Sequence, residues 1–247
     1  MSYKLRSIFY FAIVISLLAC VTNQKTTGSS SGNEKTNIAE RHIKVYVAPY
    51  YKSAKEITEK PYVNVSKVHN NLLSSTNVND ILAVEESIIK NPEMITPMTL
   101  MVLSIRMYDV GQRDKSVFWF YAAKNRYFTL SGVLNMSDPS LSQVKQSISA
   151  FASLAGPYIN SYAFCNIEKQ RLAQDKALEW VVKNPYKVIF MTQLPAKDGD
   201  RTVNLNKSIS SIRTNIQKSE EYFNDPKTMA EFTKKREEKG VNEKFCW

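Results

Sequence analysis

Hydrophobic positions change their rhythm several times along the chain. A largely apolar run from Ile8 to Leu18 with no charge in it follows a start that carries Lys4 and Arg6. Residues 21 to 40 are polar, with a Ser-Gly tract and almost no large apolar side chain. Between His42 and Tyr51 the pattern alternates, with Ile43, Val45 and Val47 on one side and Lys44 and Tyr46 on the other. That period of two predicts a short strand or extended arm ended by Pro49, and no second strand stands out to pair with it. From about residue 63 onward the spacing is helical.

The helices are marked by their punctuation. Val78 to Lys90 places Val78, Ile81, Leu82, Val84, Ile88 and Ile89 at helical intervals and stops at Asn91-Pro92. Thr96-Pro97 opens the next helix, which runs to Gly111. Asp114 is positioned to cap a third, containing Val117 to Phe128. A polar stretch at Asp138-Pro139 precedes a helix over Leu141 to Leu154, and another spans about 160 to 183, stopped by Asn184-Pro185. Ala196 to Arg201 reads as a surface turn. Charged amphipathic helices over about 204–222 and 226–239 follow, the last ended by Gly240. The expected fold is all-α, a single helical bundle with helix-pair packing and a short N-terminal extended arm. Its domain of 41–247 is large enough to bury its own core.

The opening segment has a different purpose. Its apolar run would reach only about 17 Å as a helix, against a hydrocarbon core of roughly 30 Å. A charged start, a short apolar middle and a small residue at the end is the layout of a signal peptide, here 1–19. Leu17-Leu18-Ala19-Cys20 resembles the bacterial lipobox, and the chain is identified by it as a bacterial lipoprotein. The resemblance implies that the Cys20 thiol receives a diacylglyceryl group, that cleavage follows Ala19, and that the new amine is acylated. Membrane lipid is then the first partner, through Cys20. Residues 20–40 become a lipidated flexible tether. Val21, where aspartate would retain a lipoprotein in the inner membrane of enteric-type cells, implies the outer membrane, facing the periplasm.

Export changes how charge and cysteine are read. The leader holds two of the 33 Lys and Arg and none of the 23 acidic residues, so the processed chain keeps a net charge of +8. Nucleic acid is excluded as a partner by compartment; anionic headgroups, glycan or an acidic protein fit better, and a thinly spread charge that only aids solubility fits equally well. Cys165 and Cys246 remain, an even pair in an oxidising compartment, and a disulfide between them would close a loop of about 80 residues. The alternative is one buried Cys165 and one free thiol at Cys246.

Residues 103 to 123 resemble the short α/α repeats related to tetratricopeptide repeats, through Tyr108, Gly111, Asp114-Lys115, Trp119-Phe120 and Ala122-Ala123. Ser116 stands where alanine is usual and the loop is shortened. Partial echoes occur at Asp175 to Trp180, and between Glu86–Pro92 and Glu179–Pro185. No fixed period runs through three units, so the resemblance implies one helical-repeat-like packing unit. The aromatic run Phe118, Trp119, Phe120, Tyr121, Tyr127 and Phe128 has two readings. One is a central helix covered on most sides; the other is a partner-binding groove in which Trp119 and Tyr121 are the anchors. Core is the commoner fate of such aromatics.

Candidate chemistry is sparse. His42 and His69 read as surface or boundary residues, and neither has neighbours in zinc-site spacing, so no metal and no cofactor are expected. With seven glycines there is no phosphate-cradling loop, and no nucleophile elbow occurs. Asp114 and Glu179 are the best candidates for a carboxylate pair, against capping and helix-face roles. Asp198, Asp200 and Arg201 suggest an ion-binding loop too short for calcium. The expected function is non-enzymatic: an anchored helical domain that binds another envelope protein. An immunity lipoprotein that neutralises a toxin delivered by type VI secretion, and an envelope hydrolase with a carboxylate pair, are the alternatives.

Overall fold

A computed structural model describes residues 42–43, 51–52 and 62–247. The leader, Cys20, the tether of 20–40 and most of the alternating arm lie outside these residues. Nine α-helices occur among them: α1 (Asn70–Ser74), α2 (Val78–Lys90), α3 (Pro97–Asp109), α4 (Arg113–Val133), α5 (Ser142–Ala163), α6 (Ile167–Lys183), α7 (Arg201–Asn224), α8 (Pro226–Glu238) and α9 (Val241–Phe245). The fold is all-α, a bundle of helices packed on one another.

The arm does find a partner. Tyr51–Lys52 (β1) pairs antiparallel with Tyr62–Val63 (β2), with Tyr51 opposite Val63 and Lys52 opposite Tyr62. Two residues on each side carry no periodicity, which is why the second strand was not expected. Ile43 is buried, and its N–H donates to Asp109 Oδ1 at 2.6 Å.

The bundle is organised around α4. Trp119, Phe120, Tyr121, Ala122 and Ala123 are all buried, so consecutive residues face protein in every direction. α3 packs antiparallel to α4 across a three-residue turn in which Gly111 has φ +83°, a conformation open to glycine at little cost. Ala122 and Ala123, both fully buried, allow this close approach. α7 crosses the far end of α4, where a Cβ on Gly132 would meet Ser208 Oγ at 1.7 Å. Smaller cores lie under the C-terminal end of α4 (Leu130, Val133, Leu134, Leu141, Tyr186, Ile189, Leu205) and between α6 and α7 (Leu178, Ile212, Ile216).

Caps explain where the helix boundaries match their signals. Asn77 accepts from Asn79 N at 2.9 Å, and Thr96 from Thr99 N at 3.0 Å. Asp200 and Asp225 likewise cap α7 and α8. Three boundaries differ from the sequence reading. α5 does not end at Leu154 but continues through Pro157 to Ala163, because Phe151, Ala155, Ile159 and Ala163 keep an apolar stripe on the core. α6 begins only at Ile167, where Asn166 accepts from Lys169 N at 2.9 Å. Gly240 ends α8 but a further helix, α9, follows it.

Asp114 is not the cap of α4; Gln112 holds that position, without a side-chain bond. Asp114 sits in the first turn, accepts the Tyr162 hydroxyl at 2.7 Å and lies 3.7 Å from Lys169 Nζ.

His69 is likewise not at the surface. It is buried, with Nε2 3.1 Å from Ser87 Oγ and Nδ1 3.4 Å from Ser66 Oγ. Burial lowers its pKa below the ordinary 6.5. A histidine depressed in the folded state takes up a proton more readily when unfolded. Its contribution is therefore complete above about pH 6.5 and declines as the pH falls from there towards the folded value. Chemical denaturation between pH 7.5 and 5 is expected to show a loss of stability that is smaller in His69→Gln; equal slopes in the two proteins would contradict this.

Candidate interaction pole

Helices α2 and α6 end with the same tripeptide, Lys90-Asn91-Pro92 and Lys183-Asn184-Pro185. Proline cannot continue either helix, so both chains turn out of it with carbonyls unpaired. Arg126 of α4 collects these ends. Its Nη1 donates to Pro92 O at 2.8 Å and Ile95 O at 2.9 Å, and its Nη2 to Asn184 O at 2.7 Å. The guanidinium is fully buried, lies 4.5 Å from the Trp180 ring centre, and is paired with no carboxylate among the described residues. Burial pushes its pKa down to about 10, so it stays charged at neutral pH. A lone cation survives here because three carbonyl dipoles and an aromatic face replace its hydration.

A second arginine staples the adjoining loop. Arg201, in the first turn of α7, donates to Ile189 O at 2.5 Å and Leu194 O at 2.8 Å. Lys187 N reaches Glu93 O at 3.0 Å, and the two side chains form an ion pair. Lys197 N donates to Val133 O at 2.9 Å, and Asn135 N to Pro195 O at 2.9 Å. Loops 91–96, 134–138 and 184–200 are thus tied to each other and to the core beneath them.

Apolar side chains stand outside this rigid frame. Met94, Phe190, Met191 and Val203 are between 39% (Phe190) and 59% (Met94) exposed, and Ile89 nearby is 56% exposed. Single exposed apolar residues are ordinary; several on and next to loops tied down by Arg126 and Arg201 are the make-up of a contact surface. Three lysines of this pole, Lys90, Lys183 and Lys187, are paired with Glu86, Glu179 and Glu93, which leaves its rim nearly neutral.

The residues singled out from sequence are distributed differently. Trp119 is fully buried and Tyr121 nearly so. The groove reading of these two is therefore corrected: they are core, because α4 is enclosed by α3, α5, α6 and α7. Trp119 Nε1 donates to Glu85 Oε1 at 2.8 Å, and Tyr121 takes a bond from Gln170 Nε2 at 3.0 Å, with its hydroxyl pKa pushed up to about 12 by burial. Cys165 and Cys246 are joined in a disulfide with Cα atoms 5.5 Å apart. Cys20 lies outside the described residues.

Asp198, Asp200 and Arg201 do not make an ion loop. Asp200 caps α7, the Asp198 carbonyl accepts from Asn204 Nδ2 at 3.0 Å, and Arg201 faces the carbonyls named above. Glu179 is exposed beside Lys183, 4.0 Å away. No group of three or more metal-ligating side chains occurs among the described residues.

Sequence reasoning missed the pole. The Glu86–Pro92 and Glu179–Pro185 echo was its one visible signal, and the arginine inside the aromatic run was the missing half. No helix among the described residues is long and apolar enough to cross a membrane.

No protein-family model matches the chain, and no solved structure does. The sequence is 32% identical over 234 residues to an uncharacterised protein of Haemophilus influenzae, an alignment that covers 95% of this chain and 89% of that protein. Similarity of that extent makes the two members of one family, and the chain belongs to the family of that Haemophilus influenzae protein.

Proposed function

We propose that this is a lipid-anchored, non-enzymatic protein of the cell envelope, held through Cys20 in the outer membrane and facing the periplasm. Its helical domain binds another envelope protein at the Arg126–Arg201 pole. The observation that carries the binding role is the exposed set Met94, Phe190 and Met191 on loops fixed from beneath, with Val203 in the first turn of α7. The Leu17–Cys20 lipobox supports the anchor. The Cys165–Cys246 bridge supports an oxidising compartment, where such bonds persist.

Photo-crosslinking in living cells tests the binding role. A photoreactive side chain at Met94 is expected to give a discrete adduct that Phe190→Asp removes, whereas the same side chain at Glu221, on α7 away from the pole, gives none. Phe190 is already part solvated, so its replacement should change stability by less than about 1 kcal/mol. No adduct at Met94, or equal adducts at both positions, would count against the pole.

A further inference from the structure

We propose that the Cys165–Cys246 bridge is a thiol–disulfide exchange site, where an incoming thiolate takes Cys165 Sγ and Cys246 Sγ leaves against the Arg236 guanidinium. The proposal goes beyond the binding role at the pole and does not depend on the anchor.

The first observation is access. Cys165 follows the end of α5 and Cys246 the end of α9, and both residues are exposed. Structural disulfides resist reduction, whereas exposed ones are the labile, regulatory or catalytic kind.

The second observation is the cation behind the sulfurs. Arg236 of α8 is 5% exposed, and its Nη2 donates to Cys246 Sγ at 3.3 Å and to Cys165 Sγ at 3.6 Å. Its other acceptors are neutral, Ser161 O and Asn242 Oδ1, each at 3.0 Å. No carboxylate pairs with it among the described residues; Glu238 of its own helix is with Lys234, and Asp114 is with Lys169. In the oxidised protein a buried positive charge therefore faces two neutral sulfurs. Breaking the bond supplies the missing anion, and a cation beside a sulfur makes it a better leaving group.

The third observation separates the two sulfurs. Cys246 Sγ is the nearer to the guanidinium. Cys165 Sγ lies 3.4 Å from Ser161 O, an acceptor that favours a protonated thiol. Asn242 Oδ1, 3.5 Å from Cys246 Sγ, is already taken by Arg236 Nε. Cys246 is thus the leaving thiolate, and Cys165 is the sulfur attacked.

The co-reactant is a dithiol, as carried by a disulfide-exchange protein. Its first thiol loses a proton to solvent and bonds to Cys165 Sγ as the bridge breaks, the electron pair passing to Cys246 Sγ. Its second thiol, deprotonated in turn, bonds to the first, and Cys165 leaves and takes up a proton. The dithiol is oxidised by two electrons and the bridge is reduced by two. α9 then loses its covalent tie to α5.

The experiment treats the folded, full-length protein with reduced glutathione at neutral pH and traps free thiols with iodoacetamide. Peptide mass spectrometry reads each cysteine separately. The expected product carries glutathione on Cys165 and the alkyl group on Cys246, at least about tenfold over the reverse. It forms with helical circular dichroism unchanged. A product seen only after denaturant is added, or glutathione on Cys246 as often as on Cys165, would overturn the proposal. Arg236→Lys keeps the cation and is expected to keep the preference, whereas a folded Arg236→Gln loses it. An unchanged preference in folded Arg236→Gln would also overturn the assignment; if that variant does not fold, the product distribution of the native protein decides.

Discussion

Replacing Arg126 with methionine lowers the thermal midpoint by roughly 10 °C. Methionine fills much of the same volume but donates nothing, so the carbonyls of Pro92, Ile95 and Asn184 lose their shared partner. Pro92 O keeps its bond from Ile95 N at 3.3 Å, whereas the Ile95 and Asn184 carbonyls are orphaned. Each orphaned buried acceptor costs about 1–3 kcal/mol, part of which is recovered because no cation has to be desolvated. A net loss of about 4 kcal/mol, at ~2–4 °C per kcal/mol for a domain of this size, gives that shift. Lysine does not rescue it, since one ammonium cannot span three carbonyls and stack on Trp180 as a planar fork does. Amide hydrogen exchange should accelerate first in 91–96 and 184–190. An unchanged midpoint with slow exchange in those loops would show that Arg126 is dispensable.

Removing the disulfide as the Cys165→Ser, Cys246→Ser pair is expected to cost about 4–5 kcal/mol by chain-entropy reasoning for a loop closed across 81 residues. Local consequences follow from what the bridge holds. Arg236 is buried beneath it, donating to Ser161 O at 3.0 Å and to Asn242 Oδ1 at 3.0 Å. Freed from Cys165, α9 no longer seals that guanidinium, and Trp247 loses its seat on Arg113. Limited proteolysis should then cut first after residue 236. Dithiothreitol added to the native protein should reproduce the loss and leave the double-serine variant unaffected. Identical denaturation curves with and without reductant would contradict a structural role for the bridge.

Much of the bundle was legible where a single residue type fixes the backbone. α2 spans the expected Val78 to Lys90 and stops at Asn91-Pro92, and Gly111 marks the α3–α4 turn because few residues other than glycine accept its φ. Proline is a weaker guide: Pro157 lies inside α5, where the apolar stripe outweighs the one hydrogen bond it removes. The disulfide was legible as a pairing of two cysteines, though not what it would hold. The pole was least legible. Its residues come from three loops and four helices, and Arg126 looks from sequence like one more surface charge beside aromatics. Only long-range carbonyl contacts reveal it as the tie between two helix ends, and no local pattern encodes those.

Compartment and partner both depend on the state of one sulfur. The most direct measurement is the mass of the N-terminal peptide of the protein isolated from the cell envelope. A peptide that begins at Cys20 and carries diacylglyceryl and an amide-linked acyl chain, absent from Cys20→Ala, is the expected result. A chain that retains residues 1–19, or begins elsewhere with an unmodified Cys20 thiol, would contradict the anchor and the envelope role built on it.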